Sequence, residues 1–136
     1  MTRKNIVTAM VFMAVLLGGY YVYNNMFPVA RPMHCPSIEA ITAINISTDD
    51  NKESKILGAD FAKTVTYIGN SRPTRTRSVN DTPTVRPYYK IEILTAEKMF
   101  NYYVYEKNNN VYIERPYEGI YIIDRQVVNI ISRRFQ

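Results

Sequence analysis

Tryptophan is absent from this 136-residue chain, and cysteine and histidine occur once each. One thiol cannot close an intramolecular disulfide, so the fold has to rest on its apolar core. A structural zinc site needs about four nitrogen or sulfur ligands, which His34 and Cys35 cannot supply within one chain. The two adjoin each other in a proline-flanked segment that offers no rigid pocket for a Cys/His nucleophile pair. Glycine is scarce too, at five residues, and neither a Gly-rich phosphate loop nor an HExxH motif occurs. Glu92, Glu106 and Glu114 alternate along apolar stretches, the pattern of a solvated sheet face; a glycosidase-like pair among them is a question of coordinates. These absences predict a protein that is not an enzyme and carries no cofactor or metal.

Acidic residues are also in the minority, 12 Asp/Glu against 17 Lys/Arg. Three of the basic residues, Arg3, Lys4 and Arg31, precede Pro36; from there on 14 Lys/Arg face 12 Asp/Glu, a net of +2. A body so nearly balanced does not point to nucleic acid as a partner.

What the N-terminus does contain is a long run without charge, from Asn5 to Ala30. Residues 6–23 would form about 27 Å of helix at 1.5 Å per residue, close to the thickness of a hydrocarbon core. Tyr20, Tyr21 and Tyr23 gather at one end, where amphipathic rings favour the membrane–water interface. Positive charge before the run and tyrosines after it predict a single-pass signal-anchor in the cell membrane. Residues 1–5 are then cytoplasmic, 6–23 contact the bilayer, and the remainder is extracytoplasmic. The alternative is secretion after cleavage of a signal peptide. "PVA" at 28–30 is a poor cleavage site, and the run is long for a signal core. Before Cys35, "PMH" lacks the small residues that precede a lipidated cysteine. Ala14 and Gly18 form a small-xxx-small pair of the kind that supports helix pairing.

Residues 24–36 read as a linker, because Pro28, Pro32 and Pro36 forbid a helix and favour an extended spacer. Residues 37–136 read as one extracytoplasmic domain. Its first element is a β-branched strand over about 39–48, followed by a polar turn at "DDNKES". Phe61, Val65 and Ile68 form one stripe of a helix, with Asp60 at its positive end and Gly69-Asn70 as a left-handed stop. "YYKIEILT", "MFNYYVYEK", "VYIERP" and "GIYIID" read as strands, with a turn at Asn108–Asn110. A last helix opens at Asp124 as N-cap and buries Val127, Ile130, Ile131 and Phe135. The order predicts an α+β fold: a small antiparallel meander of four to five strands with two helices packed on one face.

Between the first helix and the second strand group lies "NSRPTRTRSVNDTPTVRP", residues 70–87. Arg72, Arg75, Arg77 and Arg86 offer forked donors suited to phosphates and carboxylates. Ser78, Asn80 and Asp81 are placed to fix the backbone that presents them, Asn80 through an Asx turn. The competing reading is an ordered loop whose arginines are solvated or paired with carboxylates. Eight of the 12 tyrosines fall between residues 88 and 121. Core packing and cross-strand pairing account for most of them, and an aromatic platform for a glycan or protein is the alternative.

"PTRTRSVNDTPTV", "YYKIEI" and "YIERPYEGIYII" resemble a family of small Gram-positive bacterial proteins known as a domain of unknown function. The resemblance runs over about residues 37–134, and the block from Pro73 to Pro83 is its most specific part. It implies an N-terminal signal or anchor followed by one extracytoplasmic domain, and it implies no catalytic residue. Two functions fit these readings. One is a binding or sensory module at the cell envelope, contacting an anionic envelope component or a protein partner. The other is a structural accessory subunit of a membrane complex, held through its helix.

Overall fold

The computed structural model describes residues 3–136. Helix α1 (Arg3–Met26) buries none of its residues against the rest of the chain. It is long and apolar enough to cross a membrane or to serve as a signal segment. After a short 3₁₀ turn (Ile38–Ala40) come strands β1 (Ile41–Thr48) and β2 (Glu53–Lys55), helix α2 (Ala59–Gly69) and strand β3 (Arg72–Pro73). Strands β4 (Tyr88–Thr95), β5 (Met99–Lys107), β6 (Asn110–Arg115) and β7 (Gly119–Ile122) follow, and then helix α3 (Gln126–Ser132).

Among the described residues the sheet has seven strands, in the order β2-β1-β4-β5-β6-β7-β3, with every neighbouring pair antiparallel. The α+β class and the central meander agree with the sequence, but four to five strands is an underestimate. The two extra strands are the edges. β2 reads Glu-Ser-Lys, and β3 is an Arg-Pro dipeptide. Charge and proline suit unpaired edges, which must not recruit other strands, and they also hide such strands from a propensity reading.

The register sorts the side chains. Ile44 and Ile46 of β1 lie opposite Ile93 and Ile91 of β4, which continue to Phe100 and Tyr102 on β5; Val104 meets Ile113, and Ile113 meets Tyr121. These residues are buried and form one cluster with Ile68 of α2 and Val127, Ile130 and Ile131 of α3. Both helices therefore cover this face. Phe61 and Val65, expected in the centre of the α2 stripe, only flank it, while Thr64 and Ile68 point into the core.

Local signals explain most boundaries. Asp124, expected as the N-cap of α3, stands one residue before the Arg125 N-cap and holds the first turn from outside by accepting the Gln126 N–H on Oδ1 at 2.8 Å. Asn108 and Asn109 adopt φ of 50° and 62° and make the β5–β6 turn. The stop of α2 differs from expectation. Asn70 sits at φ −90°, outside the left-handed region, and Ser71 ends the helix by donating through Oγ to the Ile68 carbonyl at 2.7 Å. Asp60 at the start of α2 meets Arg134 of the segment after α3 at 2.8 Å and Arg133 at 3.6 Å. One carboxylate thus joins the start of α2 to the end of α3.

The expected spacer is not free. Met33 is buried in the main core, Cys35 packs against it, and the Tyr102 hydroxyl donates to the His34 carbonyl at 2.8 Å. The Ala30 N–H donates to the Thr74 carbonyl at 2.9 Å. Proline rigidity does not require solvation, and here it presents an extended segment to a waiting surface. Gly119 shows how close the fit is: a Cβ added there would stand 2.8 Å from the Ala30 Cβ. Gly119→Ala is therefore expected to cost about 1–3 kcal/mol through overpacking and to speed amide exchange in residues 29–35. Unchanged exchange in that segment would mean that it is not held at Gly119.

Candidate functional site

Chain topology explains the basic stretch. β2 and β3 occupy opposite edges of the sheet, and α2 carries the chain between them across the core face. From β3 the chain must return to β4, four strands inward from that edge and beside β5. Residues 74–87 make the return over the other face as a strap. They begin by extending the edge pairing, the Thr74 N–H donating to the Ile120 carbonyl and the Ile120 N–H to the Thr76 carbonyl, both at 3.2 Å.

The strap is fastened from within. Ser78 is buried and donates through Oγ to Glu114 Oε1 at 2.6 Å; Glu114 is itself buried, on the face away from the helices. Burial foremost, with the nearby Glu114 carboxylate adding to it, pushes the Tyr105 pKa well above the ordinary phenol range. Tyr117, held at φ 63° in the β6–β7 turn, donates its hydroxyl to Asp81 at 2.7 Å. That bond raises the Tyr117 pKa, since the anionic phenolate could not donate it. Pro83 is buried as well. Asn80 is exposed, and among the described residues its side chain has no hydrogen-bond partner, so the brace comes from Ser78 and Asp81 and not from the expected Asx turn. Tyr103 and Tyr105 are buried on this same face. Of the eight tyrosines between 88 and 121, only Tyr117 is fully exposed, so no aromatic platform forms there.

The four candidate arginines separate. Arg72 lies on the β3 edge beside a depression that also includes Tyr67 and Asp124. Arg86 pairs with Asp49 at 3.7 Å and lies over the Tyr88 ring. Arg75 and Arg77 instead share a cleft of about 670 Å³ with Arg31, His34, Arg115 and Glu118. Three chain segments build it: the residues after α1, the first half of the strap, and the end of β6 with its turn into β7. Four arginines and one glutamate thus line the cleft. Arg115 and Glu118 pair at 2.8 Å, and Arg115 also lies over the Phe100 and Tyr102 rings. Among the described residues, Arg31 and Arg77 are exposed and have no carboxylate within ion-pair distance.

Arg75 is half-buried and already engaged. Its guanidinium donates to the Phe27 carbonyl and to Asn24 Oδ1 at 2.7 Å, and it lies 4.9 Å from the centre of the Tyr23 ring. A cation at the end of α1 meets the negative end of the helix dipole. Arg31, His34 and Arg115 were not among the sequence candidates. Arg31 and His34 lie in the segment read as a spacer, and Arg115 reads as an ordinary strand residue. The available signal was Met33, an apolar residue between prolines in a segment otherwise read as solvated.

Nucleophile chemistry gains nothing from this geometry. The Cys35 thiol is pushed up to about 11 by burial, with Arg115 pulling only partly the other way. A thiol so shifted stays protonated at neutral pH and is a weak nucleophile. Among the described residues no group of three or more His, Cys, Asp or Glu side chains is arranged to hold a metal ion.

Comparison with known proteins follows the same outline as the fold. The DUF5301 family model, described as a domain of unknown function (DUF5300), matches residues 29–122. The match takes in the segment that carries Arg31, Met33 and His34. A solved structure described as the NMR structure of the protein from Ruminococcus gnavus is similar at 26% identity, with a TM-score of 0.59. The similarity covers 71% of this chain and 96% of that one. No curated protein matches the sequence.

Proposed function

This chain belongs to the DUF5301 family, a domain of unknown function, and on that premise we propose that it is an envelope-facing module that binds an anionic group in its arginine-lined cleft. In this reading α1 is the membrane anchor, and the α+β domain stands on the outer side of the membrane. The observation that carries the reading is the convergence of Arg31, Arg75, Arg77 and Arg115 from distant parts of the chain against the single carboxylate of Glu118. Like charges brought together raise the potential in a cleft, and an anion with several acceptor oxygens relieves it through charge-assisted bonds. Phosphate and carboxylate groups have that chemistry.

The test is retention of the full chain, in detergent, on a phosphate-bearing matrix. Replacing Arg31 and Arg77 together with glutamine removes two charge-assisted contacts worth about 1.5–3 kcal/mol each. Binding is expected to weaken about a hundredfold or more, and to weaken in the parent chain as salt rises. Folding stability should change little, since exposed charges contribute about 0–1 kcal/mol each. Arg86→Gln is the control, because Arg86 lies outside the cleft and pairs with Asp49. Equal losses from Arg86→Gln and from the cleft variant would assign the binding to overall charge and sink the site.

A further inference from the structure

Resting on that reading, we infer that the occupant of the cleft is the phosphate headgroup of an anionic phospholipid in the membrane that α1 enters, so that the domain lies down on its own bilayer. The first support is distance. Met26 ends α1, and Arg31 lines the cleft five residues later. Five residues span at most about 17 Å when fully extended. The segment here is docked on the domain, so the cleft stays close to the end of the helix.

The second support is a direct link. Arg75, a cleft residue, is bonded to Asn24 and Phe27 and lies over Tyr23. Tyr20, Tyr21 and Tyr23 mark the level at which a spanning helix leaves the hydrocarbon. The headgroup layer beyond that level is about 5–8 Å deep on each side. Arg75 therefore places the mouth of the cleft at headgroup depth.

The third support separates a lipid from a free anion. Val29 and Tyr117 line the cleft at 48% and 67% exposure, and Phe27, 52% exposed, is tied to it through its carbonyl bond from Arg75. A soluble phosphate has no use for them. A bilayer interface does, since it accepts aromatic rings and aliphatic groups beside the phosphates that basic residues seek, at roughly 1 kcal/mol per Lys or Arg. Tyr117 is the informative member: it is 88 residues beyond Val29 in sequence and reaches the same cleft only through the fold.

The chain has no tryptophan, so Tyr117→Trp provides a single fluorescent reporter. The full chain carrying it is reconstituted in vesicles of phosphatidylcholine, with or without phosphatidylglycerol, each containing lipid brominated near the headgroup. Quenching of the tryptophan is expected to rise about twofold or more with phosphatidylglycerol. Adding Arg31→Gln and Arg77→Gln should return it to the phosphatidylcholine value, with an unchanged far-UV circular dichroism spectrum. A parallel arm titrates inorganic phosphate into the phosphatidylcholine vesicles and reads the emission. Quenching that is equal in the two lipids, or insensitive to the arginine substitutions, would overturn the lipid assignment. If inorganic phosphate alone then shifts the emission, the anion-binding reading stands without the lipid; if neither has an effect, both fall.

Discussion

Ile91→Ala is expected to lower the stability of the domain by about 2–5 kcal/mol, the range for deleting several buried methyl and methylene groups from a packed core. Ile91 is fully buried at the centre of β4, opposite Ile46 on one side and Tyr102 on the other. The residues around it are held by strand pairing on both sides, so they cannot readily close the cavity. A domain of about a hundred residues has only about 5–15 kcal/mol to lose. The measurement is urea unfolding of residues 29–136, followed by far-UV circular dichroism. Val65→Ala should cost less than about 2 kcal/mol, because Val65 flanks the core and is only partly buried. Equal costs at the two sites would mean that the sheet interior is not the stabilising centre described above.

The second large effect concerns where the domain begins. Shortening residues 29–136 to 37–136 is expected to cost about 2–4 kcal/mol. Burial of Met33 accounts for about 1.5–3 kcal/mol of this, and the Tyr102 hydroxyl loses the His34 carbonyl to which it donates. The Ala30–Thr74 backbone bond is lost as well. The unfolding midpoint in urea should drop, with little change in the steepness of the transition. Identical midpoints would return residues 29–36 to the role of a spacer, and would also remove Arg31 and His34 from any built site.

Much of the fold was legible because its signals are local. Period-two alternation in "YYKIEILT" and "MFNYYVYEK" marks strands whose one face is buried. The asparagines at 108 and 109 announce a turn that needs positive φ, and Asp124 announces the start of α3. Edge strands β2 and β3 carry no such signal. Their pairing is supplied by neighbours, β1 and β7, and not by their own residues. The α2 stripe was misjudged by one position because helix periodicity names a face only to within about a turn, whereas packing against α3 and the sheet chose Thr64 and Ile68 as its centre.

The basic stretch divides in the same way. Its composition showed that residues 70–87 would be polar, and that arginines there could meet an anion. It could not show that Ser78 points inward to a buried Glu114, 36 residues away, because that contact depends on the strap crossing the sheet. Nor could it separate Arg72 and Arg86, spent on an edge and an ion pair, from Arg75 and Arg77, which look into a cleft.

The amino-acid sequence by itself determined the apolar N-terminal helix, the α+β class and the central meander, since each depends on composition or on spacing within one element. Tertiary structure decided which edge strands pair, that residues 29–36 belong to the domain, and that Arg31, Arg75, Arg77 and Arg115 share one cleft. Those outcomes depend on contacts between segments tens of residues apart. Such contacts are set by the path of the chain over both faces of the sheet, and no local pattern encodes that path.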